Sequence, residues 1–284
     1  MATKKSAAST KKSVKKPAPS AKKTTTKVTK VKSVSAAVPA KQSLRTRATR
    51  LSGFGRKPAV SAAVAEFLGT FLLAAIVIVT SGQPLFIMFG LIAIVLAIGV
   101  ASGAYVNPVL TMGALATRRL TVKRAAGFIV AQILGAMLAL VVFSAFVANA
   151  PAVSQEAALY GQSAPELFTA NPVTEGKEWV VLAAELVGSV IFAFGAASVV
   201  RHRSAIAKAF VMGGSFYLGL IVAGTAAGYV SGSAILNPAV AVSLQVFNEW
   251  ELWPVMIYAL TPLVGGVLGY VLSDMIHPTD ELAA

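Results

Sequence analysis

Hydrophobic positions along the chain fall in long unbroken blocks. They show neither the alternation of a half-buried strand nor the one-sided stripe of a surface helix. Six blocks, at residues 59–80, 84–101, 122–147, 178–200, 205–229 and 252–273, reach or approach the roughly 20 apolar residues a helix needs to span a bilayer. Two further apolar segments, 102–116 and 231–247, are too short to span. At membrane depth such backbone is tolerated only where it is packed in protein or lines a water-filled cavity. The pattern therefore predicts an all-α membrane protein with six transmembrane helices and two re-entrant half-helices.

Composition sharpens this reading. The 284 residues are 56% hydrophobic and 13% charged, with a mean hydropathy of +0.73. A soluble domain carries about a quarter charged residues. Residues 1–58 hold 17 of the 25 Lys and Arg and no Asp or Glu, which leaves 8 basic against 11 acidic residues from position 59 onward, a net of −3. The basic balance thus belongs to a tail. Its Lys, Ala, Ser, Thr and Pro texture offers too little apolar surface to offset ordering entropy, so residues 1–58 are expected to be disordered. Such a tail suits contact with anionic lipid headgroups or, on composition alone, with nucleic acid. The channel-forming body is expected over 59–274, with a short tail at 275–284. There is no Cys, which excludes disulfides and thiolate metal sites, and His202 and His277 are too far apart to suggest a metal cluster. No cofactor is expected.

The loops give an orientation. Arg118, Arg119, Lys123 and Arg124 lie between the second and third blocks, and Arg201, Arg203 and Lys208 between the fourth and fifth. With six crossings these regions share one side with the tail. The long loop 148–177 falls on the other side with Glu156, Glu166 and Glu175 against Lys177. The positive-inside rule then puts both termini in the cytoplasm, and the expected location is the plasma membrane.

The chain also repeats itself. Ala65-Glu66-Phe67-Leu68-Gly69-Thr70 matches Ala184-Glu185-Leu186-Val187-Gly188-Ser189. Ser102-Gly103 leading to Asn107-Pro108-Val109 matches Ser231-Gly232 leading to Asn237-Pro238-Ala239, with one extra residue in the second copy. Ala131-Gln132-Ile133-Leu134-Gly135 matches Thr261-Pro262-Leu263-Val264-Gly265, and Asn107 to Gln132 spans 25 residues, as does Asn237 to Pro262. The halves are expected at 59–147 and 178–274. Three spans per half is an odd number, so the halves insert in opposite senses around a site near the midplane.

Asn is a good N-cap, and Pro suits the first helical position. In an inverted repeat the two half-helices therefore meet N-terminus to N-terminus. That end is electropositive and presents two side-chain amides that can donate to a passing oxygen, while cations are disfavoured. Asn171-Pro172-Val173 in the long loop has no half-helix after it and carries no such meaning.

Taken in order, AEFLGTFLLA, SGAYVNPVLTMGAL, AQILGAMLA, AELVGSVIFAFG, SGSAILNPAVAVS and YALTPLVGGVLG resemble the aquaporin and glycerol-facilitator family, the major intrinsic proteins, over residues 60–274. The resemblance implies that Asn107 and Asn237, with Pro108, Val109, Pro238 and Ala239, form the pore motif. It implies that the intramembrane acids Glu66 and Glu185 accept hydrogen bonds from the re-entrant loops, and not that they relay protons. It also implies a homotetramer with one pore per subunit.

The departures from the family pattern bear on selectivity. Where the family normally has Arg after the second motif, this chain has Val240, and the residue three before the second Asn is Ala234. The fifth-span position of the outer constriction is matched to Thr225, with a one-residue shift open. The second-span position is matched to Phe89, with Ile87 open. Phe89, Thr225, Ala234 and Val240 would make a ring with one hydroxyl and no charge, wider and more apolar than that of a strict water channel. The expected function is passive passage of water and small neutral solutes such as glycerol across the lipid bilayer. A hydrophobic ring that resists wetting is the competing outcome. The alternatives are a secondary transporter, or a non-conducting membrane protein acting through its basic tail. No nucleophile–base pair, metal cluster or phosphate loop points to an enzyme.

Overall fold

The computed structural model describes residues 58–247 and 251–277. The expectations for the basic tail, and for the C-terminal tail beyond His277, lie outside the described residues. The helices are α1 (Pro58–Val79), α2 (Pro84–Ser102), α3 (Pro108–Ala116), α4 (Val122–Ala148), α5 (Gln155–Leu159) and α6 (Glu178–Ala197), the last continued by a 3₁₀ turn (Ser198–Arg201). Then come α7 (Ala205–Gly228), α8 (Pro238–Ser243), α9 (Leu252–Val255), a π turn (Met256–Leu260) and α10 (Thr261–Ile276). The six long helical stretches are apolar enough to cross a membrane.

Local chemistry sets most boundaries. α1, α2, α3 and α8 each open on a Pro, whose missing N–H costs nothing in a first turn. Thr121 and Ser204 cap α4 and α7, accepting from the Arg124 and Ala207 N–H groups. α2 ends on Gly103 in the left-handed region at φ 98°, where its N–H reaches the Gly99 carbonyl. The π turn was not foreseen. It ends two residues before Pro262, which has no N–H and whose ring crowds the carbonyl four residues back, so the preceding turn widens. The small helix α5 inside the long loop was not foreseen either. α10 runs to Ile276, two residues past the expected end of the body.

The packing repeats between halves. α1 lies on α4 and α2, α6 lies on α10 and α7, and α2 meets α7 across the halves. Each half-helix crosses over: α3 packs on α10, and α8 on α4. The halves are thereby interlocked. Small residues make these approaches possible. A Cβ on Gly265 would stand 2.6 Å from the Ser189 Cβ and 3.0 Å from the Leu186 carbonyl oxygen, and in the other half Gly135 lies directly on the Phe67 carbonyl. Large apolar side chains such as Leu68, Phe86, Leu134, Leu218 and Leu268 point outward, as lipid requires.

Candidate functional site

Each half-helix is shorter than the apolar segment that announced it. Residues 103–106 and 232–236 are non-helical up to the Asn, with Gly103, Ala104, Val106 and Leu236 at positive φ. The cause is a buried acid in each half. Glu66, fully buried in α1, accepts from the Tyr105 N–H (2.9 Å), the Val106 N–H (2.6 Å) and the Gln132 amide (2.7 Å). Glu185, fully buried in α6, accepts from the Ile235 N–H and the Leu236 N–H (3.0 Å). These amides would otherwise be unpaired at membrane depth, where each costs several kcal/mol. Both acids thus accept from the loop that leads to an Asn.

The residue before each Asn is held under strain. Val106 has φ 42° and Leu236 φ 54°, a region that is costly for any side chain and most of all for a β-branched one. Both of its backbone polar groups are tied. Its N–H donates to the buried acid, and its carbonyl accepts from the opposite Asn. The Asn107 Nδ2 donates to the Leu236 carbonyl (2.8 Å), and the Asn237 Nδ2 to the Val106 carbonyl (3.2 Å). The Asn107 Oδ1 accepts from the Val109 N–H (2.8 Å), and the Asn237 Oδ1 from the Ala239 (3.1 Å) and Val240 (3.3 Å) N–H groups. An Asn amide has two donor hydrogens. One from each is spent across the interface, which leaves one from each for an oxygen passing between the half-helices.

Two cavities flank this meeting point. A loop-side cavity of about 190 Å³ is lined by Ile87, Phe216, Leu220, Gly224, Ala234 and Val240, among others. A basic-side cavity of about 470 Å³ lies against Gly103, Tyr105 and Met212. No residue lines both, and Asn107 and Asn237 are each 1% exposed. Phe216, on the loop-side lining, stacks against Phe192 at 4.5 Å between ring centroids. Met212, one turn earlier in α7 (about 6 Å), belongs to the other cavity.

Two expected ring members are corrected. Phe89 is 54% exposed on the outer face of α2 and does not line the cavity, whereas Ile87 does and is 2% exposed. Thr225 is exposed, and Gly224 lines the cavity instead. Helix geometry explains both: a two-residue error turns a side chain by about 200°, and a one-residue error by about 100°. Ala234 and Val240 do line the cavity. Three participants went unforeseen. Gln132 could have been found as the polar residue inside an apolar span. Phe168 and Ala170 reach the loop-side cavity from the long loop, where Ala170 N–H donates to the Leu244 carbonyl (3.3 Å) and Asn171 N–H to Ser233 Oγ (2.9 Å). Of these two loop residues only Phe168, an aromatic in a polar stretch, gave any hint.

The comparisons agree with this architecture. The family model described as Major intrinsic protein matches residues 54–273. Aquaporin AqpM of Methanothermobacter marburgensis is 29% identical over 244 residues, covering 72% of this chain and 92% of its own. Glycerol uptake facilitator protein-like 6 of Lactiplantibacillus plantarum is 40% identical over 108 residues, 35% of this chain and 49% of its own. The X-ray structure of the aquaglyceroporin from Plasmodium falciparum shares the fold at a TM-score of 0.52 and 19% identity, covering 79% of this chain and 99% of that one. With interlocked inverted halves, two capped Asn residues at their meeting point and a family match across the whole body, the chain belongs to the major intrinsic protein family.

Proposed function

We propose that this protein is a passive membrane channel for water and for neutral solutes up to about the size of glycerol. Family membership supports the broad class, a channel for water or small solutes. The observation that carries the finer reading is the loop-side lining. Ile87, Gly224, Ala234 and Val240 face it together, with no charged side chain and no bulk at Gly224 or Ala234. A pore selects by its diameter, by the hydrogen-bonding groups along it and by its electrostatic barriers. This ring is permissive in the first respect and neutral in the third. The two Asn amides supply donors to a hydroxyl-bearing solute, while Glu66 and Glu185 hold the loops that aim them.

The orientation follows from charge, with the basic end in the cytoplasm and the long loop outside. The protein is proposed to reside in the plasma membrane as a homotetramer. The tail, with 17 basic residues, would adhere to anionic lipid at about 1 kcal/mol per Lys or Arg near the surface. Nucleic acid is the less favoured partner for it.

The test is reconstitution into liposomes with an inward glycerol gradient, following vesicle volume by stopped-flow light scattering. Fast shrinkage followed by fast re-swelling is expected. In Val240→Arg the re-swelling should slow by about tenfold, the scale of one group's steric discrimination in a fitted site. Unchanged re-swelling would remove Val240 from the selectivity argument. The separation of the two cavities favours a second reading, a pore kept closed by the Phe192–Phe216 pair. Neither phase exceeding that of protein-free vesicles would support it.

A further inference from the structure

We propose that exclusion of cations in this channel is set in the basic-side vestibule, by Arg203 and Lys208 acting with Arg119, and not at the loop-side constriction. The proposal rests on the channel reading above. Three cationic side chains line that cavity. Arg119 is fixed there by the Ala197 carbonyl (2.9 Å), by Asp274 and by the face of Tyr270 at 5.0 Å. Asp274 offsets part of its charge. Arg203 and Lys208 have no carboxylate partner among the described residues. The rest of the wall is largely apolar, from Val95, Leu96, Val199 and Met212 among others. A cleft lined by one sign of charge with low-dielectric walls focuses the potential inside it.

Topology alone explains why Lys and Arg gather at this end. It does not require them to line a cavity: Arg118 and Lys123 serve topology from exposed positions, whereas Arg119 and Lys208 are half-buried against the cavity and Arg203 stands exposed at its rim. Lys208 lies in the first turn of α7 after the Ser204 cap. There a cation opposes the helix dipole, at a cost of about 0.3–1 kcal/mol.

The loop-side lining carries no charged side chain. The half-helix N-termini at the Asn pair are a further barrier, which the wild type and the variants below share. On the channel reading, the cavity that holds Gly103 and Tyr105 of the first loop is the basic-side approach to the Asn pair.

The experiment uses the full chain in liposomes, wild type against Arg203→Gln/Lys208→Gln, with two readouts on the same vesicles. Glycerol entry is read by light scattering. Potassium efflux is read with an ion electrode, with a protonophore for charge balance. Glycerol entry should be retained while potassium efflux rises about fivefold, the effect of removing two unit charges several ångströms from the ion path in a largely aqueous setting. Lys208→Gln alone should give a smaller rise. Raising the salt from 0.1 to 1 M shortens the screening length from about 10 to about 3 Å, so the wild-type efflux coefficient should climb toward that of the variant. Glycerol entry in both proteins with potassium efflux unchanged, at either salt, overturns the proposal and leaves the channel reading standing. Absence of glycerol entry in wild type overturns the channel reading, and the proposal with it.

Discussion

The two halves of the molecule share a frame but not its reinforcement. In the first, Glu66 accepts from two loop amides and from Gln132, whose amide also donates to Thr111 Oγ1 (3.0 Å). In the second, Glu185 accepts from loop amides alone, and the position matching Gln132 is Pro262. The first half-helix has nine residues and the second six. The first loop opens on a cavity with three cationic side chains, the second on a cavity with none. What the halves share is the geometry that closes the fold: a buried acid, a strained residue before Asn, and an Asn that caps its own helix and bonds the opposite loop. What differs is the side chains that meet the solute. Symmetry here maintains the frame, and asymmetry gives the two cavities different linings.

That comparison can be broken at its acids. Glu66→Leu and Glu185→Leu each orphan two loop N–H groups at about 1–3 kcal/mol apiece. Glu66→Leu also removes one of the two acceptors of the Gln132 amide, which keeps Thr111 Oγ1, so it should be the more damaging of the two. Thermal unfolding in detergent, followed by size-exclusion chromatography, ranks them. Equal losses would mean that the third donor contributes nothing to the frame.

A smaller change sharpens the same point. Gln132→Leu makes the first half resemble the second and removes a hydrogen bond to a carboxylate, which is worth about 1.5–3 kcal/mol. In a double-mutant cycle the substitution should cost little once Glu66 is already Leu. Full additivity would place the role of Gln132 elsewhere.

The smallest effects are expected on the outer faces. Phe89→Ala in the first half and Thr225→Ala in the second should leave glycerol permeability unchanged. Ile87→Ala and Gly224→Val, on the cavity faces of the same helices, should raise and lower it respectively. A permeability change at Phe89 matching that at Ile87 would contradict the cavity lining described above.

Much was legible in the sequence. The six spans were read within a few residues of their observed ends because a spanning helix must be apolar on every side, a signal too strong for local detail to hide. Likewise, two Asn-Pro pairs at matching distances from Gln132 and Pro262 fix the inverted repeat, since cap chemistry is local and the count of spans sets the sense of insertion. The acids at positions 66 and 185 stood out because a carboxylate inside an apolar helix requires partners.

The tertiary structure decided what depends on helix rotation and on long-range contact. Whether Phe89 or Ile87 faces the cavity turns on about 200° of rotation, and span two, apolar all round, carries no stripe to set it. The cross-bonds from each Asn to the opposite loop join residues about 130 positions apart, and no local pattern encodes them. The reach of Phe168 into the loop-side cavity depends on how a 30-residue loop folds back. The three cations of the vestibule were visible as charges, but only packing turned them toward a shared space. The sequence by itself determined the number of crossings, their sense and the chemistry at the midpoint, because these follow from composition and spacing. Side-chain facing, the lining of each mouth and the interlocking of the halves came from three-dimensional packing, because helices equally apolar on all sides are oriented only by their neighbours.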